Sequence, residues 1–236
     1  MLTTPVRSEP LATQVYDILK EAIFSGQLQP GEVLSELNVA RKLEVSQATV
    51  REALVRLEQS GLVLRSRNRR TSVSNFTAEE VRDRLSMRIV LEQLAAVKAA
   101  ERMTDADFAV AESHAADIVR AVASGSYTEA TLADVRFHHF IWKKCDSEVI
   151  YRTLDHLTTP LFVFIGVLHA SVMADLRATK PHERIVAALR SRDPECINFE
   201  IRWHIEDSYR TFLESGAPSL DALVGSTRAD AVAVSR

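Results

Sequence analysis

Apolar residues recur three and four positions apart over most of the chain. Leu11, Val15, Ile18, Leu19, Ala22 and Ile23 form the first such stripe, and Gly26 follows it. A 3.6-residue period with a glycine just beyond predicts a helix and its end. Pro30-Gly31 marks a turn; Leu34-Ser35-Glu36 opens a short second helix through Leu43; Ser46 is placed to cap a third over Gln47 to Ser60, closed by Gly61. Leu62-Val63-Leu64 and Thr71-Ser72-Val73 read as two short extended segments around the polar run Arg65 to Arg70, and Asn75-Phe76 as a linker. From Thr77 the pattern predicts six helices, roughly 78–102, 105–123, 127–145, 147–178, 181–191 and 194–215, each begun by Thr, Ser or Pro, with a kink at Pro160. After Gly216 the periodicity fades, so a poorly ordered tail is expected over 217–236.

Composition agrees with a mainly α chain: aromatics make up 6%, and Gly and Pro number only 7 each. Cys145 and Cys196 are too few for a disulfide framework and lack a CxxC spacing, which points to a reducing compartment. The first residues, MLTTPVRSEPLATQ, have no apolar core of signal-peptide length, and Leu161 to Ala170 is too short to span a bilayer. A cytoplasmic protein without a membrane partner is therefore expected. Charge is unevenly shared: residues 1–76 hold 10 Lys+Arg against 8 Asp+Glu, the remainder 19 against 24. The total is weak evidence for nucleic acid, but four arginines fall within Arg65 to Arg70, and a local cluster matters more than a sum.

Three helices before a hairpin with a basic tip have the order of a winged helix-turn-helix. In such a unit the amino-terminal residues of the reading helix lie at base edges. Here they are Ser46, Gln47, Thr49 and Arg51: Ser46 and Thr49 can donate to phosphate, Gln47 can read a base with both amide atoms, and Arg51 can reach phosphate or guanine. Taken singly, Arg51 and Arg56 could equally solvate an exposed helix, and the arginines at 65–70 could mark an ordinary loop. Together, Gly26, Leu28, Pro30-Gly31, Leu34-x-Glu36, Leu43-x-Val45-Ser46-x4-Arg51-Glu52-Ala53-Leu54 and Leu57-x3-Gly61-Leu62-Val63 resemble the GntR winged-helix signature over the first third of the chain. The resemblance implies DNA contacts by Ser46, Thr49 and Arg51, and the basic run between the two extended segments adds Arg67, Arg69 and Arg70 as wing candidates. Three positions depart from that pattern, one of them Arg70, which stands where the wing often has Gly. Gln47 stands where the family usually has Arg, which implies a different base preference, and Glu44 stands where Gly is usual, in the turn.

A second constellation lies in the other half. Asp134 and His138 are four apart on a face shared with Phe137 and Ile141; His182 precedes Ile185, Val186 and Leu189 by three, four and seven; His204 falls on the last helix. Three imidazoles and a carboxylate suit a divalent transition metal, zinc first, with nickel, manganese or iron as alternatives. By spacing alone each histidine reads more readily as a hydrogen-bonded core residue. Arg88-x3-Glu92, Asp134-x2-Phe137-His138, His182-x2-Ile185 and Asp193-x10-His204 resemble the FCD ligand-binding domain of FadR-type GntR regulators. That resemblance implies metal ligation by Asp134, His138, His182 and His204 and a small organic acid as effector. Arg88 offers that acid a guanidinium fork, or else pairs with Glu92 within its own helix. His139 points about 100° away from His138, and His114, His156 and His169 match nothing in the pattern.

The sequence thus predicts a DNA-binding domain over 1–75, a helical effector-binding and dimerisation domain over 76–216, and a dimer suited to a palindromic operator. Two rivals remain at this point: a DNA-binding dimer whose bundle is metal-free and structural, and a metal-dependent hydrolase. The hydrolase lacks an HExxH arrangement, since Glu183 is followed by Arg184-Ile185-Val186, and it leaves the first 75 residues unused.

Overall fold

The computed structural model describes residues 9–66, 70–172 and 182–214; residues 67–69 and 173–181 and both ends lie outside the described residues. The first element, α1 (Leu11–Phe24), buries Ala12, Val15, Leu19, Ile23 and Phe24. It is followed by β1 (Val33–Leu34), α2 (Glu36–Lys42), α3 (Gln47–Gln59), β2 (Val63–Arg65) and β3 (Thr71–Val73). Ser35 and Ser46 accept from the third backbone N–H of α2 and α3 respectively, which fixes both helix starts. Val50, Ala53, Leu54 and Leu57 turn inward from α3 against α1.

The sequence reading missed β1. Val33 pairs with Ser72 and Leu34 with Thr71, giving an antiparallel sheet in the order β1-β3-β2. Two residues are too few to show alternation, and Leu34 was assigned to the helix opening at Ser35. Glu44 occupies the helix-turn-helix turn at φ 55°, a left-handed conformation that favours glycine.

The second half comprises α4 (Ala78–Arg102), α5 (Asp105–Ala123), α6 (Tyr127–Lys144), α7 (Glu148–Val172), α8 (His182–Ser191) and α9 (Pro194–Glu214). Thr77 with Glu80 and Thr104 with Asp107 form reciprocal capping boxes that start α4 and α5. Arg192 donates to the backbone oxygens of Glu101 and Met103, satisfying carbonyls at the end of α4. The helix α7 runs through Pro160. The expected continuation of that helix to 178 and the expected tail at 217–236 fall outside the described residues.

Of the expected linker Asn75-Phe76, Asn75 is exposed in an irregular connection, but Phe76 is part of the core. Phe76 is buried and meets Phe164 of α7 edge to face at 5.3 Å, with the Arg84 guanidinium 4.2 Å from its ring centroid. A buried Phe removes a large apolar area from water, and edge-to-face pairing adds to that. Around it Ile23, Leu62 and Val73 of the winged helix face Pro160, Val163 and Val167 of α7. Gly61, at φ 72°, lies so close to α7 that a Cβ there would stand 2.9 Å from the His156 carbonyl oxygen. Nδ1 of His156 makes a 3.0 Å hydrogen bond with the backbone oxygen of Gln59, at the end of α3. The end of the reading helix and the turn that follows it therefore touch α7, and α1 packs on it as well.

Candidate metal centre and nucleic-acid interface

Three helices bring the four sequence-predicted ligands together. Asp134 and His138 project one turn apart from α6, His182 begins α8, and His204 lies on α9. One ligand atom from each of the four falls within 4.8 Å of all the others, and the three histidines are buried. Asp134 Oδ1 is the common point: His182 Nε2 is 2.7 Å away and His138 Nε2 3.7 Å. The rings of His182 and His204 stand 4.5 Å apart, centroid to centroid. Bonds near 2.1 Å to one shared ion place ligand atoms about 3 to 4 Å from each other, so a small contraction suffices, and the donor set of three nitrogens and one carboxylate fits a divalent transition metal.

Glu92, on the buried face of α4, orients this cluster. Its Oε2 lies 3.0 Å from His138 Nδ1; Nδ1–H donates to the carboxylate, which turns the Nε2 lone pair toward Asp134. A carboxylate behind a ligating imidazole fixes its tautomer and angle. Burial lowers the His138 pKa although Glu92 opposes it, and the neutral ring is the form that binds a metal. Burial would raise the Glu92 pKa, yet Arg88 and His138 outweigh it and hold the carboxyl at about 2.

Of the two readings of Arg88, the pair with Glu92 is present. Nε is 2.6 Å from Glu92 Oε1, while Nη2 lies 3.4 Å from His138 Nε2 and Nη1 3.2 Å from the Tyr209 hydroxyl. The Phe162 ring of α7 lies against the guanidinium at 4.4 Å. The arginine is 1% exposed. Sequence reasoning placed Glu92 only as a partner of Arg88, and it did not single out Phe162 or Tyr209. His139 is turned away to Thr159 at 2.8 Å and Asp155 at 3.2 Å, and His114 packs on Phe140.

In the winged helix Ser46, Gln47 and Arg51 are exposed and Thr49 is half-buried. The Ser46 and Thr49 hydroxyls lie 2.8 Å apart, so Ser46 is engaged in capping as well as available at the surface. The Arg51 guanidinium, 57% exposed, is paired with Glu36 of α2 at 2.7 Å. Arg70 is exposed, and its carbonyl accepts from Ser66 N–H at 2.9 Å across the base of the wing. Arg67 and Arg69 lie outside the described residues. Among the described residues no helix is long and apolar enough to cross a membrane.

A DNA-reading winged helix seated on a helical bundle with a buried His/Asp cluster defines a transcription regulator of two parts. Residues 11–73 match the model of bacterial regulatory proteins, gntR family, and residues 83–207 that of the FCD domain. The chain is 27% identical over 199 residues to the uncharacterized HTH-type transcriptional regulator YdhC of Bacillus subtilis, covering 83% of this chain and 88% of that protein. It is 25% identical over 202 residues to the HTH-type transcriptional repressor RspR of Escherichia coli, covering 85% and 88%. Among solved structures, Escherichia coli McbR/YncC shares the fold, with a TM-score of 0.73 at 21% identity over 88% of this chain and 99% of that one. A putative GntR regulator from Rhodococcus sp. RHA1 gives a TM-score of 0.69 at 26% identity over 86% and 97%. The chain belongs to the GntR family of bacterial transcription regulators and carries the FCD effector-binding domain. The family and these relatives are DNA-binding regulators, not enzymes, which removes the hydrolase reading.

Proposed function

We propose that the protein is a dimeric, cytoplasmic regulator whose affinity for operator DNA is set by a small organic acid bound beside a divalent metal. The carrying observation is the meeting of Asp134, His138, His182 and His204 within 4.8 Å, with a buried guanidinium 3.4 Å from one of the ligating rings. A divalent ion, zinc first, supplies a Lewis-acidic centre for a carboxylate oxygen. Arg88 supplies the complementary fork, and Phe162 and Tyr209 hold that fork in place. The DNA-contacting set is Ser46, Gln47, Thr49 and Arg51 on α3 with Arg67, Arg69 and Arg70 on the wing. The reading domain occupies 1–75 and the sensing domain 76–216. An acid that binds between the helices shifts operator affinity only through unequal affinity for two arrangements of the winged helices. The helix α7 is suited to couple them, because Phe162 lies on the sensing network while Pro160 and Phe164 lie against the winged helix.

Dimerisation is supported by α4. Beside its buried face the helix carries a second apolar stripe, Met87, Val90 and Leu94, each at least half exposed. Packed antiparallel on a second copy, with Met87 against Leu94, the stripe places Asp83 opposite Lys98 at either end. Closing a twofold there gives the two reading helices that a palindromic operator requires. Leu94→Glu should convert the dimer to a monomer in sedimentation; a dimer unchanged by it would move the interface elsewhere.

Elemental analysis of untagged protein tests the metal site. About one divalent ion per chain is expected, with loss of that ion in His182→Ala and a chelator-sensitive melting temperature in the wild type only. Metal-free wild type, with melting unaffected by chelator, would instead favour a hydrogen-bonded cluster in a structural bundle.

A further inference from the structure

Glu36, the first residue of α2, faces two arginines from two different DNA-reading elements. Its Oε2 lies 2.7 Å from Nη2 and 3.1 Å from Nε of Arg51, on the first turns of α3. Its Oε1 lies 3.4 Å from Nη2 of Arg65, at the end of β2 where the wing begins. The carboxylate stays partly exposed, at 22%. The hydrogen bond from Arg51, seconded by the charges of Arg51 and Arg65, holds its pKa below the usual range against the effect of burial. A negative charge thus stands on the face that the reading helix presents to a polyanion.

Two consequences of opposite sign follow. Non-specific affinity for duplex DNA grows with the number of phosphates that cations neutralise and the counterions they release. A carboxylate that occupies two guanidinium groups withholds them from arbitrary phosphates and adds its own repulsion. Reading a base edge, in contrast, needs a guanidinium fork held in one plane. The pairing through Nε and Nη2 supplies that restraint for Arg51, and its geometry links the recognition helix to the wing base.

We infer that Glu36 is a specificity-determining residue of the DNA reader: it orients Arg51 and Arg65 for the correct sequence and suppresses their attraction to all others. The inference rests on the reading of α3 and the wing as the DNA-facing elements. A purely structural Glu36 would move stability and both kinds of affinity together; a selectivity role moves the two affinities apart.

The test uses the full chain and its Glu36→Gln variant with two duplexes of equal length and composition. One is enriched from a random library by the wild-type protein, and the other is a scrambled version of it. On the scrambled duplex the variant should bind about three- to tenfold more tightly near 0.1 M salt, with a log–log salt slope steeper by about one per protomer. On the enriched duplex it should bind no better than wild type, so the discrimination ratio falls. Glu36→Asp keeps the charge but is too short to reach both arginines. It should raise scrambled-duplex binding less than Glu36→Gln does and weaken the enriched duplex, which protects the test against a fold lost in the first variant. A discrimination ratio equal to wild type in both folded variants would overturn the inference. A wild-type chain that enriches no sequence overturns the underlying assignment of the reader itself, a result visible before any variant is measured.

Discussion

In the winged helix Arg51 keeps 57% of its side chain in solvent beside Glu36; in the bundle Arg88 keeps 1% beside Glu92 at 2%. The residue types are the same, and the physical consequences differ. An exposed pair is screened and hydrated and adds little to stability. An enclosed pair cannot lose a member without leaving a charge stranded in a medium that solvates it poorly. The Glu36–Arg51 pair can therefore act on DNA binding at little cost to the fold, whereas the Arg88–Glu92 pair is part of what holds the bundle together.

The largest effect expected from this contrast is on folding. Arg88→Met should destabilise the chain by about 3 to 5 kcal/mol in urea unfolding, because Glu92 stays behind charged and buried. Adding Glu92→Leu should recover part of that loss, since no charge then remains stranded, although His138 loses its carboxylate. The matched change in the reader, Arg51→Met, should leave the urea midpoint nearly where it is and weaken operator binding about ten- to a hundredfold. Equal losses of stability at the two arginines would erase the distinction. A double variant less stable than Arg88→Met would show that the His138–Glu92 hydrogen bond outweighs the stranded charge.

How far the sequence exposed all this follows from the range of the interactions involved. Helix starts were legible because a cap is local: Thr77, Thr104 and Ser126 each announce a helix within three residues, and each accepts from the expected backbone N–H. The strand β1 was not, since its partner lies nearly forty residues downstream and its two residues carry no period. Phe76 looked like linker because its neighbours are polar, and only Phe164, far along the chain, explains its burial. The four candidate ligands could be named from the family pattern and from their place on apolar helix faces. Glu92 could not be assigned its role, because the bond to His138 joins residues 46 apart. For Arg88 the sequence posed a choice between pairing with Glu92 and meeting an acid effector; the pair with Glu92 is present, and a second guanidinium nitrogen faces His138. Glu44 illustrates the converse: the departure from Gly was visible, and the positive φ shows that the turn kept its shape around it.

The most direct test of a sensor coupled to a reader is operator affinity of the wild-type chain, titrated with a panel of small carboxylic acids, first metal-loaded and then after chelation. The account predicts that at least one acid shifts the dissociation constant by roughly fivefold or more, in the range usual for coupled sites, and that chelation abolishes the shift. Operator binding that no acid alters in either state would contradict it.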